Sequence, residues 1–233
     1  MGNEGANEAG TRAWSSNGRF GEYWSETMGR RFAELAFTPL VKEQQRQHNS
    51  RHLYERVEQA PDAGDRLGED EREFVRERDG FYMASVSETG WPYIQYRGGE
   101  KGFLRVLDAQ TLGFADLRGN RQYISVGNLE HDDRVTLFLM DYRRQSRLKI
   151  LGRARVYEGD AEARELIERL RVPSEKTPTE RAILIHVEAF DWNCQQHITP
   201  RYTQEEMAEM LEPMRRRMEA LEAENQQLRA AAG

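Results

Sequence analysis

The fold of this chain is decided by residues 91–157, which read WPYIQYRGGEKGFLRVLDAQTLGFADLRGNRQYISVGNLEHDDRVTLFLMDYRRQSRLKILGRARVY. Within this stretch, apolar runs of about strand length alternate with clusters of Gly, Asp and Asn. Such a pattern is typical of antiparallel strands joined by short turns. One segment differs, because the apolar residues of 123–126 follow a polar run at 118–122 and are spaced as in a short helix. The stretch therefore predicts an antiparallel β core into which a helix is inserted.

Strand-length segments continue on both sides of this stretch. We predict strands at 81–86, 92–97, 103–107, 111–115, 134–140, 147–157 and 181–190, and a helix at 160–170 that packs on them. Gly90, between the first two strands, supplies the positive φ that a hairpin turn favours. Six or seven antiparallel strands with added helices predict a mainly β, α+β fold, in which a closed or split barrel removes exposed strand edges.

The segments on either side of the β core differ from it in composition. Residues 1–18 are rich in Gly, Asn, Ser and Ala and are expected to be disordered. From there to about residue 57, aromatic and apolar residues recur mainly every three or four positions, with a break at Thr38-Pro39. This spacing predicts a helical arm that packs on the barrel or on a partner subunit. The predicted organisation is a flexible N-terminus and helical arm at 1–68, a barrel domain at 69–202 and a C-terminal amphipathic helix at 203–233.

The C-terminal helix carries its own pattern. Thr203 and Glu206 are spaced as in a capping box, which predicts that the helix starts there. Beyond them, seven residues alternate at spacings of four and three: Met207, Leu211, Met214, Met218, Leu221, Asn225 and Leu228. This is a short heptad seam with Asn225 at an a position. The seam predicts either a short coiled coil or a helix that folds back on its own barrel.

Composition and charge restrict the class of protein. With 233 residues, 38% of them hydrophobic, the chain can bury one good core with appendages. Its formal net charge of −6 argues against a nucleic-acid-binding protein. The single cysteine, Cys194, excludes an internal disulfide and fits a reducing compartment. No apolar run reaches the length of a membrane span, and no hydrophobic signal segment is present, so we expect a cytoplasmic protein without membrane contact.

Several Arg and Lys side chains lie at positions where an anion could bind. Arg97 precedes two glycines, and Arg121 precedes the inserted helix, whose first backbone N–H groups attract negative charge. On the strand at 147–157, Arg147, Lys149 and two further arginines alternate with apolar residues. That strand is either a solvated basic edge balanced by carboxylates or a row that contacts phosphate or flavin at a subunit boundary. The histidine pair His48 and His52 lacks further ligands in the sequence, so no metal site is predicted.

The order of four motifs carries a family resemblance. Pro-Tyr-Ile-Gln-Tyr-Arg at 92–97 is followed by Gly-Asn-Arg-Gln at 119–122, by Asn-Leu with a later Arg-Val between 128 and 135, and by Gly-Arg-Ala at 152–154. In this order the motifs resemble the FMN-binding split-barrel family typified by the pyridoxamine 5'-phosphate oxidases. The resemblance covers about residues 69–202. It implies a split barrel of the FMN-binding type, FMN as cofactor, and a homodimer with the cofactor at the subunit interface.

The resemblance also implies site residues, position by position. The cofactor-binding candidates are Gln95, Arg97 and Lys101 around the first motif, Asn120, Arg121 and Gln122 at the helix start, Arg147 reaching the flavin of the other subunit, and the aromatic residue Trp192. Arg201 is the candidate beside the substrate. No catalytic residue is assigned, because the flavin ring itself carries the hydride.

The chain departs from the oxidases at three places. Their Arg-x-x-Leu-Leu-Lys run is replaced by residues 95–101, the second basic residue at the helix start is Gln122, and residues 197–201 lack their Arg-x-His substrate motif. The resemblance therefore implies FMN binding but not pyridoxamine phosphate as substrate.

The function expected from these observations is an FMN-dependent oxidoreductase. It would pass hydride or electrons between a donor, such as NADH or NADPH, and a small-molecule acceptor. A non-enzymatic carrier of flavin, deazaflavin or haem on the same fold is the alternative. A third hypothesis is an assembly module whose basic strand binds a polyanion and whose C-terminal helix recruits partners.

Overall fold

The computed structural model describes residues 28–60, 66–192 and 197–232. The arm consists of three short helices, α1 (Arg30–Ala36), α2 (Pro39–Gln47) and α3 (Arg51–Gln59). The predicted break is confirmed, because Pro39 opens α2 and the Thr38 hydroxyl caps it by accepting a hydrogen bond from the Val41 N–H. The predictions for residues 1–18, the first aromatic residues of the arm and Cys194 fall outside the described residues.

Seven strands form one antiparallel sheet: β1 (Gly80–Val86), β2 (Pro92–Gly98), β3 (Arg105–Val106), β4 (Thr111–Leu117), β5 (Arg134–Asp141), β6 (Ser146–Tyr157) and β7 (Thr179–Trp192). Their order is β2-β1-β5-β6-β7-β4-β3. The two end strands do not pair with each other, so the barrel is split and not closed. This confirms the predicted fold class. Only β3 is much shorter than expected.

The core follows from strict alternation along the central strands. Leu137 and Leu139 on β5 face Leu148 and Ile150 on β6, and all four are fully buried. Each such side chain contributes roughly 1.5–3 kcal/mol when it leaves water. A bulge after Leu151 interrupts the alternation. There Gly152 lies so close to β7 that a Cβ atom would be 2.6 Å from the His186 carbonyl oxygen.

The basic strand β6 is central, not an edge, because it pairs with both β5 and β7. Its cations are balanced in part by carboxylates on neighbouring elements. Lys149 pairs with the buried Asp191, and Arg153 pairs with Asp133 at 2.7 Å and with Glu188 at 3.1 Å. The prediction that this strand lies at an edge of the sheet is therefore wrong. The prediction that carboxylates balance its cations is confirmed for Lys149 and Arg153.

Four more helices complete the chain: α4 (Glu69–Arg76) before the sheet, α5 (Ile124–His131) between β4 and β5, α6 (Ala161–Leu170) between β6 and β7, and α7 (Gln204–Ala232) at the C-terminus. The inserted helix is confirmed, because α5 begins at Ile124, within the predicted segment 123–126, and continues to His131. No group of three or more His, Cys, Asp or Glu side chains suited to a metal ion occurs among the described residues.

The C-terminal helix starts as predicted. The Thr203 N–H donates to the Glu206 carboxylate at 2.9 Å, and the Glu206 N–H donates to the Thr203 hydroxyl at 3.1 Å. The helix does not fold back on the barrel, since Met214 and Met218 remain 64% and 61% exposed. Of the described helices, none has the length and apolar character needed to cross a membrane.

Candidate functional site

A cleft opens where the split of the barrel meets the start of α5. Its walls come from β2, the end of β4, the loop before α5 and the start of β7. The polar and charged side chains that line it are Gln95, Arg97, Asp116, Asn120, Arg121, Gln122, Tyr123, Ser125, Glu180 and Arg181. Elements distant in sequence thus meet at one polar surface.

A buried carboxylate lies at the base of this cleft. Asp116 is 4% exposed and accepts hydrogen bonds from Nη1 of Arg97 and, at 3.1 Å, from Nη1 of Arg181. Arg181 also donates to Glu158 at 2.8 Å and to Glu180 at 3.1 Å. Burying a charge is costly unless it is paired and hydrogen-bonded. This cluster contains two guanidinium groups and three carboxylates, and each charge is paired and hydrogen-bonded within it.

Arg97 keeps one donor without an acceptor. Its guanidinium lies 5.8 Å from the centre of the Phe114 ring, and its Nε is buried with no hydrogen-bond partner among the described residues. An unsatisfied buried donor costs about 1–3 kcal/mol.

The loop before α5 has an unusual backbone. Arg121 and Tyr123 both adopt left-handed conformations, with φ of 62° and 55°. For residues other than glycine this costs roughly 1–2 kcal/mol each, and such strain is concentrated at ligand sites. The Asn120 side chain holds the loop by accepting from the Gln122 N–H at 3.1 Å.

The loop leaves the start of α5 open to an anion. Tyr123 is the N-cap, but its side chain makes no capping hydrogen bond. The first residues of the helix, Ile124, Ser125 and Val126, all line the cleft. Arg121 is exposed and makes no hydrogen bond or ion pair with any described residue. Backbone N–H groups at a helix start together with a free guanidinium are a common way to bind a phosphate.

Two hydrogen bonds hold α5 in place against the sheet. The Ser125 hydroxyl donates to the Gln95 side-chain oxygen at 3.1 Å, which ties the helix start to β2. The Asn128 amide donates to the Ser85 hydroxyl at 3.0 Å, which ties the next turn to β1. These bonds fix α5 against β1 and β2, and Arg97 lies on β2 two residues after Gln95.

A comparison with known protein families agrees with this architecture. The family model described as pyridoxamine 5'-phosphate oxidase matches residues 67–193, which is more than half of the chain. The chain belongs to this family. Among curated proteins nothing matches it.

Several solved structures are similar in fold. A putative pyridoxamine 5'-phosphate oxidase from Lactobacillus delbrueckii has 19% identity and a TM-score of 0.43, with 55% of this chain and 95% of that chain covered. HupZ from group A Streptococcus has 17% identity and a TM-score of 0.43, with coverage of 53% and 91%. An FMN-binding protein from Syntrophomonas wolfei has 12% identity and a TM-score of 0.39, with coverage of 53% and 86%. Likeness at these values is too low to transfer a function.

Five of the site residues inferred from the family resemblance lie together around the cleft: Gln95, Arg97, Asn120, Arg121 and Gln122. Sequence reasoning missed the buried partners Asp116 and Arg181. Asp116 did leave a signal, because it is an acid within the otherwise apolar strand β4. Arg181 left none, because its role depends on the pairing of β4 with β7.

Three other candidates lie outside the cleft lining. Trp192 packs on α4, where its ring is 4.7 Å from that of Phe74 and its Nε1 donates to Glu71 at 2.8 Å. Arg201 is exposed and lies 4.9 Å from the Tyr142 ring. Lys101 is exposed in the turn that follows β2. Within one chain these three side chains lie away from the cleft, and their contacts with a cofactor or substrate stay predictions.

Arg147 lies on the opposite face of the sheet from Arg97. Strand pairing aligns Arg97 with Phe81, then Leu139, then Leu148, so Leu148 shares the face of Arg97. Its neighbour Arg147 must point the other way, and its guanidinium lies 5.5 Å from the Phe138 ring. Within one chain the sheet separates Arg147 from the cleft.

Proposed function

We propose that this protein binds FMN with the cofactor phosphate in the cleft and acts as an FMN-dependent oxidoreductase on a small molecule. The observation that carries the proposal is the meeting of Arg97, Arg121 and the open start of α5 at one place. A flavin phosphate carries nearly two negative charges and needs this kind of donor set. Membership in the pyridoxamine 5'-phosphate oxidase family supports the same cofactor.

Each residue of the cleft has a role in this proposal. Arg97 and Arg121 bind the phosphate, and the first N–H groups of α5 complete its hydrogen bonds. Gln95 and Ser125 hold the helix start in position through their hydrogen bond. Asp116 holds the Arg97 guanidinium at the cleft. The bound flavin would supply the hydride or electron transfer.

We further propose a homodimer with the cofactor at the subunit interface. The face of β2 and β1 opposite the cleft exposes large apolar side chains, with Ile94 61%, Tyr96 56% and Tyr82 37% exposed. Such a patch is typical of a protein interface. Arg147 also lies on this face, and the family resemblance is the ground on which we propose that it contacts the flavin of the partner subunit. Arg201, beside Tyr142, is the residue we propose for contact with the substrate.

Fluorescence titration of FMN tests the phosphate site. Arg97→Ala and Arg121→Ala should each weaken binding by about tenfold to a hundredfold, since a charge-assisted contact contributes about 1.5–3 kcal/mol. Arg134→Ala is the matched control, because this exposed arginine pairs with Asp132 away from the cleft lining. Wild-type affinity in both cleft variants would place the phosphate elsewhere.

Flavin reduction separates the oxidoreductase from a flavin carrier. Under anaerobic conditions, NADH or NADPH should bleach the visible flavin absorbance, and a small-molecule acceptor should restore it. A protein that retains FMN but is reduced by neither nucleotide would favour the carrier function.

A further inference from the structure

The tail seam, which we define as Met207, Leu211, Met214, Met218, Leu221, Asn225 and Leu228, is an apolar stripe without a partner among the described residues. Its large hydrophobic side chains are between 41% and 64% exposed. Helix α7 has 29 residues and is therefore about 43 Å long. The seam repeats every 3.5 residues on average. A straight helix that packs on a globular core favours a period of 3.6, whereas 3.5 keeps one stripe facing a second helix in a left-handed coiled coil.

The charges beside the seam are complementary to a second copy of the same helix. Arg217 and Glu224 lie on one flank, at g positions, and Glu222 and Arg229 lie on the other, at e positions. In a parallel pair, Arg217 faces the partner's Glu222 and Glu224 faces the partner's Arg229. By symmetry each contact occurs twice, and no like charges meet. Within the chain, the ion pairs of α7 are those of Arg215 and Arg216 with their acidic neighbours and that of Glu206 with Arg143, while these four residues form none with a described residue.

Asn225 distinguishes the parallel from the antiparallel orientation. An antiparallel pair would also bring arginines beside glutamates, so the flanking charges alone do not decide. In a parallel pair in register, Asn225 meets the partner's Asn225, and the two amides hydrogen-bond to each other. In the antiparallel pair it would meet an apolar Met214, and a buried amide without a partner costs about 1–3 kcal/mol. A single Asn at an a position is known to specify two strands in register.

We propose that α7 binds the α7 of a second copy of this chain as a parallel two-stranded coiled coil. The seam spans only three heptads, so two isolated helices of this length would associate weakly. This step rests on the homodimer proposed above, in which the two helices would have an effective concentration of roughly millimolar. A link at the barrel supports this arrangement, since Arg143 pairs with Glu206 in the first turn of α7 at 3.8 Å. The coiled coil does not depend on which cofactor the cleft binds.

Disulfide trapping in the full chain tests orientation and register. In a Cys194→Ser background, Leu228→Cys at the end of the seam should form a cross-linked dimer under mild oxidation. Ala223→Cys, on the opposite side of the helix, is the matched control and should stay monomeric on a non-reducing gel. If instead only a mixture of Leu228→Cys with Leu211→Cys cross-links, the helices are antiparallel and the proposal is wrong. No cross-link in any combination would exclude pairing of the tails.

Charge reversal tests the flanking contacts separately. Arg217→Glu places like charges opposite each other in the parallel pair and should weaken dimerisation in sedimentation equilibrium by several-fold. Adding Glu222→Arg to the same chain reverses both charges and should restore it. A dimer that is equally strong in all three proteins would contradict the proposed pairing of Arg217 with the partner's Glu222.

Discussion

Arg97 and Asp116 form an ion pair across the split of the barrel. Arg97 lies on β2, one end strand of the sheet, and Asp116 lies on β4, near the other end. No backbone hydrogen bonds join β2 to β4, so side chains must hold these edges together. Arg97 is also our candidate for binding the phosphate, so the proposal gives one guanidinium two roles, in the ion pair across the split and in ligand binding.

The first prediction concerns the charge balance of this cluster. Asp116→Asn leaves Arg97 and Arg181 without their shared counter-charge and should lower the free energy of unfolding in urea by about 3 kcal/mol. FMN, or inorganic phosphate at high concentration, should raise the melting temperature of this variant more than that of wild type. The phosphate would replace the lost negative charge.

The control for this prediction is Asp133→Asn. Asp133 pairs with Arg153, but both side chains are about half exposed, at 49% and 51%. Loss of such a surface pair should cost at most about 1 kcal/mol. If Asp116→Asn unfolds at the same urea concentration as Asp133→Asn, the ion pair across the split does not stabilise the barrel.

The second prediction tests the shared site. Heterodimers of Arg97→Ala and Arg147→Ala chains, isolated with two different tags, should bind about half as much FMN as wild-type dimers. One cleft would then contain an intact Arg97 and an intact partner Arg147. The control combines a wild-type chain with a chain that carries both substitutions, in which neither shared cleft is intact. Equal binding by the two heterodimers would mean that Arg147 takes no part in the site, and binding by the control alone would mean that each site uses residues of one chain only.

The third prediction concerns Trp192, which the structure places on α4. Trp192→Phe keeps the contact with Phe74 but removes the hydrogen bond to Glu71, so unfolding should become easier by about 1 kcal/mol. FMN affinity should stay within about twofold of wild type, because Trp192 does not line the cleft. A large loss of affinity without a loss of stability would restore Trp192 as a flavin contact.

The fourth prediction concerns the pH dependence of stability. Burial raises the pKa of Asp191 above its ordinary value, although the hydrogen bond and charge of Lys149 and the charge of Arg147 oppose the shift. The native state therefore binds the proton more tightly than the unfolded state does. As the pH falls from 7 to about 4, wild type should gain stability relative to Asp191→Asn. Urea unfolding at a series of pH values measures this difference.

Asp132 provides a control of opposite sign. Hydrogen bonds from the Arg134 side chain and backbone N–H hold the pKa of Asp132 well below its usual range. Its contribution to stability is present above the unfolded pKa of about 3.9 and is lost at lower pH. Wild type should therefore lose stability relative to Asp132→Asn below about pH 4. For each residue, the measured quantity is the stability of wild type minus that of the Asn variant, plotted against pH. If this difference changed in the same direction for Asp191 and Asp132 as the pH falls, the raised pKa of Asp191 would be contradicted.

Much of the fold could be predicted because it depends on local patterns. Alternation of apolar residues along β5 and β6 reports one buried face, whatever the neighbouring strands are. The start of α7 was predicted from Thr203 and Glu206, which are only three residues apart. The five predicted residues that line the cleft lie on β2 or in the loop before α5, and each belongs to a motif of a few residues.

The sequence by itself therefore determined which residues form strands and which stripe of α7 is apolar, and it named Arg97 and Arg121 as candidates for binding an anion. Only the tertiary structure decided that Asp116 and Arg181 complete the cleft, that Trp192 packs on α4, and that Arg147 lies on the opposite face of the sheet. The physical reason is the range of the interactions. Periodicity acts between neighbours along the chain, whereas a buried ion pair and a shared sheet face depend on the pairing order of strands that are far apart in sequence.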